Sequence, residues 1–380
     1  MAGMKAGVGC STAAGTESAV REAYRCAEAA SGKPRISLVF TAGSYESADV
    51  WRTMRELAGG ALFAGFQCGG VLTRDGLLEQ GIGIATISGD LSVATVLDAG
   101  LSEDPWAAGE RAGRSLLEKG PETGLVVVLP DGVPPGTYDL VRSLYGQMGP
   151  DFQYIGGGSG DSLKFLPTCQ FTEAAVHRNA VAAAVFGGCE ARTAIGHGWQ
   201  PHGAPLVITR AEGKRVLELD GRPAFQVFCE ALDIQIPRES FRRFSMVNPF
   251  GFVDISGDYV IRDPRALNDD DSLEFVTEVP NKAVALLMRG DVEGLIETAR
   301  GVAARAVAEV GTPRLALAFD CISRFILMGN GYSKELQALV DGIGPGVPLL
   351  GALTFGEIGS YHDVPLFHNK TVAVAVLGDA

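Results

Sequence analysis

A thiol, a guanidinium and a carboxylate follow two apolar runs near the C-terminal end of the chain. Cys321 and Arg324 lie in "FDCISR", and Glu357 lies in "TFGEIG". An arginine at the end of a strand can bind a carboxylate through two parallel hydrogen bonds, and an acid can accept an ammonium group. Arg324 and Glu357 are therefore candidates for binding the two ends of a zwitterion such as an amino acid. The alternative is a buried thiol and a surface salt bridge.

A second group of polar residues follows glycines near the N-terminus, in "GVGCST". Cys10, Ser11 and Thr12 can present a thiol, two hydroxyls and backbone N–H groups to an anionic ligand. Ser and Thr are also frequent at the starts of helices. The alternative is therefore a turn that caps the helix predicted after it.

A repeated segment supplies further candidates. "HRNAVAAAVF" from His177 and "HNKTVAVAVL" from His368 match at five of ten positions without a gap. Each copy follows an apolar run that enters glycines and then reaches an acid, Asp161 in "IGGGSGD" and Glu357 in "LLGALTFGEIG". Repetition of this kind indicates duplicated structural units. We expect the glycine turns to meet at a shared interface where a ligand binds.

The two copies and their surroundings define the rest of the predicted ligand site. A third, weaker copy is "FAGFQCGGVL", which contains Cys68. Asn369 replaces Arg178 of the first copy and is expected to lie beside the acid of the second. The predicted ligand-binding residues are Cys10, Ser11, Thr12, Cys68, Gly157, Asp161, Cys321, Arg324, Phe355, Gly356, Glu357 and Asn369.

Short apolar strands alternate with helical patterns along the chain. Apolar runs bounded by glycine or charge predict the strands. The runs 205–211 and 215–221 are joined by a tight "EGK" turn, which predicts antiparallel pairing. The fold class is therefore α/β, with two related halves of mixed, partly antiparallel sheets, flanking helices and a ligand cleft between the halves. Apolar residues at helical spacing predict helices over 17–31, 46–59, 104–118, 137–148, 223–232, 291–310 and 333–341.

Composition and charge argue against several classes of protein. The chain has 380 residues, of which 46% are hydrophobic and 20% are charged, as in folded globular proteins. A formal net charge of −13 without any basic run argues against nucleic-acid binding. No apolar run is long enough for a membrane-spanning helix, and the N-terminus lacks the apolar core of a signal peptide, so we expect a cytoplasmic protein. Seven cysteines without a C-x-x-C pair are typical of a reducing compartment.

The order of these motifs resembles the FIST-domain family over essentially the whole chain. The resemblance implies a FIST N-terminal domain over 1–219 and a FIST C-terminal domain over 220–380, with repeat units that end near 187 and 378. Cys68 is followed by two glycines where the family usually has "GCS", which departs from the family pattern. The motifs that carry the resemblance are "GVGCST", "GFQCGGVL" and "IGGGSGD", then "GHGWQPHGAPLVITRAEGKRVLELDGRPA" in the centre, then "IRDP", "FDCISR", "TFGEIG" and "HNKT".

The resemblance also implies a function. FIST modules are regarded as sensory, small-molecule-binding domains of signalling proteins, with amino acids proposed as ligands. Because the sequence contains only the sensor part, we expect it to signal to a separate partner such as a histidine kinase. Stand-alone members of similar length bind haem and sense nitric oxide, which makes haem the alternative ligand. His177, His197 and His368 are the candidate haem ligands, although a lone histidine is more often structural.

Common motifs for enzymatic catalysis are absent from the sequence. It contains no G-x-S-x-G elbow, no P-loop and no H-E-x-x-H helix. "GGGSGD" lacks the lysine of a phosphate-binding loop. A thiol activity at Cys321 would need a base that the sequence does not identify. A binding protein is therefore favoured, and an enzyme that uses Cys321 is the third alternative.

Overall fold

One arrangement of strands and helices occurs three times along the chain in the computed structural model. The structure describes residues 3–134, 136–161, 163, 166–254, 257–362 and 364–379. In each copy, a first strand leads through a helix to two parallel strands, which are joined by a second helical segment. A short hairpin and a last, antiparallel strand complete the copy. We call the three copies the first, second and third units.

The first two units are continuous in sequence. The first comprises β1 (Lys5–Ser11), α1 (Thr16–Ser31), β2 (Ile36–Ala42), α2 (Ser47–Ala58), β3 (Leu62–Gln67), the hairpin strands β4 (Gly70–Thr73) and β5 (Gly76–Leu78), and β6 (Gly81–Ser88). The second comprises β7 (Ser92–Ala99), α3 (Pro105–Lys119), β8 (Gly124–Pro130), α4 (Thr137–Met148), β9 (Phe152–Gly157), the hairpin strands β10 (Cys169–Thr172) and β11 (Val176–Arg178), and β12 (Ala180–Gly187).

The third unit is interrupted after its first strand, β13 (Glu190–Gly196), by an inserted segment. That segment comprises β14 (Gln200–Glu212), β15 (Arg215–Leu219), β16 (Arg222–Pro223), α5 (Ala224–Ala231), a 3₁₀ turn (Arg238–Ser240), α6 (Phe241–Val247), β17 (Phe250–Val253), β18 (Tyr259–Arg262), β19 (Pro264–Leu267), β20 (Leu273–Phe275) and β21 (Val284–Arg289). The unit resumes with α7 (Val292–Ala308), β22 (Pro313–Cys321), α8 (Ile322–Met328), a 3₁₀ turn (Gly329–Gly331), α9 (Tyr332–Ile343), β23 (Leu349–Thr354), the hairpin strands β24 (Glu357–Gly359) and β25 (Leu366–His368), and β26 (Val372–Gly378).

Each unit forms a six-stranded sheet that includes a hairpin from another unit. Four strands come from the unit itself, in an order such as β1-β6-β2-β3. The hairpin β10–β11 of the second unit pairs with β3 of the first. The hairpin β24–β25 of the third pairs with β9 of the second, and β4–β5 of the first pairs with β23 of the third. The exchange closes a cycle, so the three units hold one another together through backbone hydrogen bonds.

The inner faces of the three sheets share one apolar core. The rings of Phe40, Phe66 and Phe319 meet there, with Phe40 and Phe66 centroids 5.0 Å apart. Helices cover the outer faces, and each pair of helices packs on its own cluster of buried side chains. Strands such as β8 and β12 are therefore buried on both faces, which explains their continuous runs of valine and alanine.

The inserted segment forms a separate antiparallel sheet in the order β18-β17-β21-β14-β15-β20-β19, with β16 beside β15. Its core is built around Phe228, Phe241, Phe250 and Phe275. β14 and β15 pair antiparallel around the "EGK" turn, as predicted.

The predicted fold class is confirmed, because the sheets are mixed and the helices flank them. The seven predicted helices are present with ends shifted by one or two residues, and α6 and α8 were not predicted. The duplication extends further than two halves, since the weak N-terminal copy is a complete unit. Among the described residues, no helix is long and apolar enough to cross a membrane.

Candidate functional site

The predicted residues lie in three separate places. Cys10 and Ser11 end β1, and Thr12 follows directly after it. Cys68, Asp161 and His177 line a cavity of about 630 Å³, here called the small cavity. The remaining predicted residues belong to a buried polar cluster around the crossing points of the three units.

The glycines of "GVGCST" let α1 pack closely on β1. A Cβ atom at Gly9 would lie 2.1 Å from the backbone oxygen of Ala23 in α1, which no side chain allows. α1 begins after Gly15 without a side-chain cap, so the predicted Ser/Thr cap is wrong. Helix packing, rather than ligand binding, accounts for these glycines.

The polar residues after those glycines point in different directions. The Ser11 hydroxyl is buried and donates to the Glu22 carboxylate at 2.6 Å. Cys10 is exposed on β1, an edge strand, and Thr12 is exposed directly after that strand. None of the three residues lines the small cavity or the larger one beside the inserted segment.

The small cavity lies between the ends of β2 and β3, the start of α2 and the hairpin β10–β11. The Cys68 thiol is buried and donates to the backbone oxygen of Gly70 at 3.3 Å. Burial raises the pKa of this thiol to about 12, so it remains protonated at neutral pH. The Asp161 carboxylate accepts from the Leu166 N–H at 3.1 Å, and His177 is exposed at the rim.

Glu357 and Cys321 meet inside the buried polar cluster. Both are buried, and the charge of Glu357 acts on the thiol. The hydroxyls of Thr354 and Thr371 donate to the two carboxyl oxygens at 2.9 and 2.8 Å. Burial, opposed by these hydrogen bonds, raises the pKa of Glu357 to about 8. Burial and then the Glu357 charge raise the pKa of Cys321 to about 12, which leaves the thiol unreactive.

Arg324 forms a buried ion-pair network with protein groups only. It lies 3.3 Å from Asp320 and pairs with Glu335 through two of its nitrogens. Its third nitrogen donates to the backbone oxygens of His197 and Lys370 at 2.8 and 3.3 Å. A ligand carboxylate would therefore have to displace existing partners of this guanidinium.

The two acids that the sequence pattern equates are not equivalent in the structure. Glu357 pairs in register with His368, whereas Gln170 pairs in register with His177, the repeat counterpart of His368. The Glu357 carboxyl accepts from the N–H of Thr371 at 3.3 Å, and the Gln170 amide oxygen accepts from the equivalent N–H, that of Ala180, at 3.2 Å. Gln170 is thus the counterpart of Glu357, and an uncharged side chain suffices at this position for the backbone contact.

The glycine turns meet where the units cross, but side chains fill the space between them. Gly157 pairs with Glu357, and a Cβ at Gly157 would lie 2.7 Å from the Thr354 methyl group. The Phe355 ring covers Gly160 in the same way. Gly356 has a φ of +98°, and a Cβ there would lie 2.2 Å from the Phe367 ring. These glycines allow close backbone packing.

The other two predicted residues of the cluster are bound to the protein. The Asn369 carbonyl oxygen accepts from the Thr277 hydroxyl at 2.8 Å, which ties β25 to the inserted segment. The His368 Nε2 donates to the Gly359 backbone oxygen at 3.1 Å. Burial and the nearby Arg262 charge lower the pKa of His368 to about 3, so the ring is neutral.

The described residues do not fit a haem at the three candidate histidines. His197 accepts from the Trp199 N–H at 2.9 Å, and burial and then the Arg324 charge lower its pKa to about 4. Neither His197 nor His368 lines either cavity, and the small cavity beside His177 is mostly polar, unlike a porphyrin face. Within the described residues, no group of three or more His, Cys, Asp or Glu side chains is placed to hold a metal ion.

A larger cavity, of about 870 Å³, lies between α4, the hairpin β24–β25 and the inserted segment. We call it the large cavity. Its walls are mainly aromatic and aliphatic, with a few charged groups among them. It is lined by Tyr138, Arg142, Phe252, Val253, Asp254, Val260, Arg262, Thr277, Glu278, Val279, Pro280, Tyr361, His362, Val364, Leu366 and Phe367.

Arg262 is the most buried cation of this lining. Its Nε donates to the Glu278 backbone oxygen at 3.2 Å, and its Nη1 donates to the backbone oxygens of Ile261 and Phe367 at 3.1 and 3.2 Å. Burial lowers its pKa to about 10, while Tyr138 and Glu278 act in the opposite direction. The guanidinium therefore remains charged at neutral pH.

No predicted ligand-binding residue lines the large cavity. The sequence signal for this cavity is Arg262, which ends the apolar run "YVIR" and lies in the family motif "IRDP". A cation inside an apolar strand is rarely buried without a purpose. The cavity itself depends on how the inserted segment docks against α4, which local patterns do not encode.

Comparisons with known proteins cover nearly the whole chain. A family model described as the FIST N domain matches residues 36–222, and one described as the FIST C domain matches residues 224–360. An uncharacterised protein of Mycobacterium tuberculosis is 24% identical over 391 aligned positions, which cover 99% of this chain and 100% of that protein. An uncharacterised protein of Methanocaldococcus jannaschii is 30% identical over 157 residues, which are 38% of this chain and 30% of that protein. The chain thus spans under a third of the archaeal relative.

Proposed function

The chain belongs to the FIST family, whose domains are associated with sensory signal transduction, and we propose that it senses a small, amino-acid-like molecule bound in the large cavity. The cavity is the single observation that carries this proposal. Its volume of about 870 Å³ is ample for a small molecule. Mainly apolar walls with a few polar groups are typical of ligand sites.

The position of the cavity supports a sensory role. Tyr138 and Arg142 come from α4, within the FIST N match, whereas Phe252 and Arg262 come from the inserted segment, within the FIST C match. A ligand there would contact both modules at once. If the ligand binds one arrangement of the two modules more tightly than another, it shifts the equilibrium towards that arrangement. Such a shift is the physical requirement for a signal.

The charges on the lining support a zwitterionic ligand. Arg142 and Arg262 supply positive charge, and Asp254 and Glu278 supply negative charge. An amino acid brings both a carboxylate and an ammonium group, and each needs a partner of opposite charge when water is removed. This proposal replaces the predicted pair of Arg324 and Glu357, because both of those groups are already bound by the protein.

The proposals for a signalling partner and for the cellular compartment rest on the family and on the cysteines rather than on the cavity. A separate signalling protein, such as a histidine kinase, would receive the signal, given the family's association with signal transduction. A cytoplasmic location agrees with the seven cysteines, which are all free thiols in the structure.

Ligand binding can be tested on the freshly purified protein. Native mass spectrometry would detect a copurifying small molecule, and calorimetric titration with each of the twenty amino acids would detect saturable binding. An absorption spectrum of the same sample tests the haem alternative through its Soret band.

Two matched variants locate the binding site. Val253 lines the large cavity and is 56% exposed, whereas Val284 lies on the same sheet outside the cavity and is 58% exposed. Val253→Trp should weaken binding at least tenfold by filling the cavity, and Val284→Trp should leave it unchanged. Equal affinities in the two variants, or no bound molecule in any assay, would contradict the proposal.

A further inference from the structure

Building on the function proposed above, we infer that Arg262 binds a carboxylate of the ligand, and that the ligand is an organic acid with an apolar body. Arg262 lies at the end of β18 and is only 7% exposed, yet it lines the large cavity. Its hydrogen-bond acceptors are three backbone carbonyl oxygens, all uncharged. Its Nη2 group has no partner among the residues that the structure describes.

The other buried cations provide an internal comparison. Arg324 is accompanied by Asp320 and Glu335, and buried Lys370 lies 3.3 Å from Asp263. Arg262 has no carboxylate within 4.0 Å in the described part of the chain. Of these three buried cations, Arg262 lacks a counter-ion among the described residues, and Arg262 also lines a cavity.

This arrangement is costly unless an anion completes it. A buried charge without a partner destabilises the folded state by several kcal/mol. The neighbouring carboxylate, Asp263, is already shared between Lys370 at 3.3 Å and Arg242 at 3.4 Å. Glu278 gives Arg262 only its backbone oxygen, and its charge acts from beyond ion-pair distance. A ligand carboxylate in the cavity would supply the missing charge and accept the unused Nη2 donors.

The walls around Arg262 define the rest of the ligand. Phe252, Val260, Val279 and Phe367 line the same cavity and are buried. An apolar body packed against them would gain free energy from leaving water, whereas a second anionic group there would be desolvated without a partner. The site therefore favours an amphipathic monocarboxylate over a small polyanion.

Two probes of the same shape test this inference. 4-Phenylbutanoate carries a carboxylate, and 4-phenylbutanamide is its neutral counterpart. Calorimetry on the wild-type protein should show the acid binding at least tenfold more tightly, since a hydrogen bond to a charged group contributes about 1.5–3 kcal/mol. Arg262→Gln should abolish this preference and retain binding of the amide. Arg289→Gln, which removes an exposed arginine of the same sheet outside the cavity, should retain the preference.

The outcomes separate this inference from the proposed function. If the amide binds as tightly as the acid, or if the preference survives in Arg262→Gln, the inference is wrong and the cavity remains a binding site. If neither probe binds while an amino acid does, the inference is wrong and the proposed function stands. If Val253→Trp does not weaken the binding of any of these molecules, both proposals fail together.

A measurement on the wild-type protein covers the case in which Arg262→Gln does not fold. Phenylglyoxal modifies accessible guanidinium groups, and peptide mass spectrometry reports each site. The acid, but not the amide, should protect Arg262 from modification. Equal protection by the two probes overturns the inference.

Discussion

Replacing Glu357 by glutamine should flatten the pH dependence of the protein's stability. The carboxyl group is buried, and its pKa of about 8 lies well above the ordinary value of 4.5. In the unfolded chain this acid ionises near its ordinary pKa, so between these two values the folded state holds the proton that the unfolded state has released. Stability is therefore fully present below the unfolded pKa and falls as the pH rises through about 8.

The size of the effect follows from the two pKa values. Because one pKa unit corresponds to about 1.4 kcal/mol, the free energy of unfolding should fall by on the order of 4 kcal/mol between pH 5 and pH 9 through this group alone. Glutamine removes the titration and keeps the geometry. Gln170 shows that an amide oxygen accepts the equivalent backbone N–H, and its Nε2 donates to the Ser159 hydroxyl at 2.7 Å. In the variant, Thr354 would provide such a hydroxyl.

Urea unfolding followed by circular dichroism at pH 5, 7 and 9 measures the effect. The two proteins should have nearly equal free energies of unfolding at pH 5, and the glutamine variant should become progressively more stable than wild type towards pH 9. Other buried acids, such as Asp131, titrate in both proteins and largely cancel in the difference. Gln170→Glu is the reciprocal control and should introduce a loss of stability with rising pH. A difference between Glu357→Gln and wild type that is constant across the three pH values would refute the reasoning.

Two further predictions concern the same crossing region. Gly356→Ala should destabilise the protein by on the order of 2 kcal/mol or more in urea unfolding, because the positive φ is strained for alanine and its Cβ would overlap the Phe367 ring; an unchanged midpoint would contradict this. Arg324→Met should cost about 3–5 kcal/mol at pH 8, since it leaves two buried carboxylates without a cation. Because burial raises the pKa of both Asp320 and Glu335, the cost should shrink as the pH falls, and a cost independent of pH would count against this ion-pair account.

Local patterns predicted the elements well because the signals for them are local. The helix predicted over 291–310 spans Val292–Ala308, and Asp291 caps it by accepting from the Gly294 N–H at 2.7 Å. Apolar periodicity and a capping residue are both present within that segment. The exchange of hairpins was not predictable in this way, since the partner of β24 is a strand of a different unit and only tertiary packing selects it.

The sequence repeat predicted the duplicated units, but it equated Glu357 with Asp161, which is the wrong residue. Asp161 and Glu357 follow similar glycine-rich runs, so spacing along the chain equates them. The second unit has a longer connection before its hairpin than the third, which moves the equivalent position to Gln170. Register between strands, rather than distance along the chain, decides equivalence.

Comparison of the same place in the three units distinguishes features of the shared fold from features of the candidate ligand site. The small and large cavities occupy equivalent places, each between the second helix of a unit and a hairpin from another unit. In the third unit that place is filled, because Leu77 packs on the core beside α9 and Arg74 donates to the backbone oxygen of Gly344 at 2.9 Å. The second unit differs from both, since the inserted segment adds apolar walls and the buried Arg262 there.

Features that recur across the units are explained by the fold they share. The contact of Gln170 and Glu357 with an equivalent backbone N–H is such a feature, and so is the histidine in the second strand of each of these two hairpins. A buried cation without a counter-ion is not required by the repeat, because Arg262 belongs to the inserted segment and to none of the three units. Arg262 joins three backbone carbonyl oxygens but has no counter-ion within the described residues, and the proposed ligand carboxylate would offset the electrostatic cost that remains.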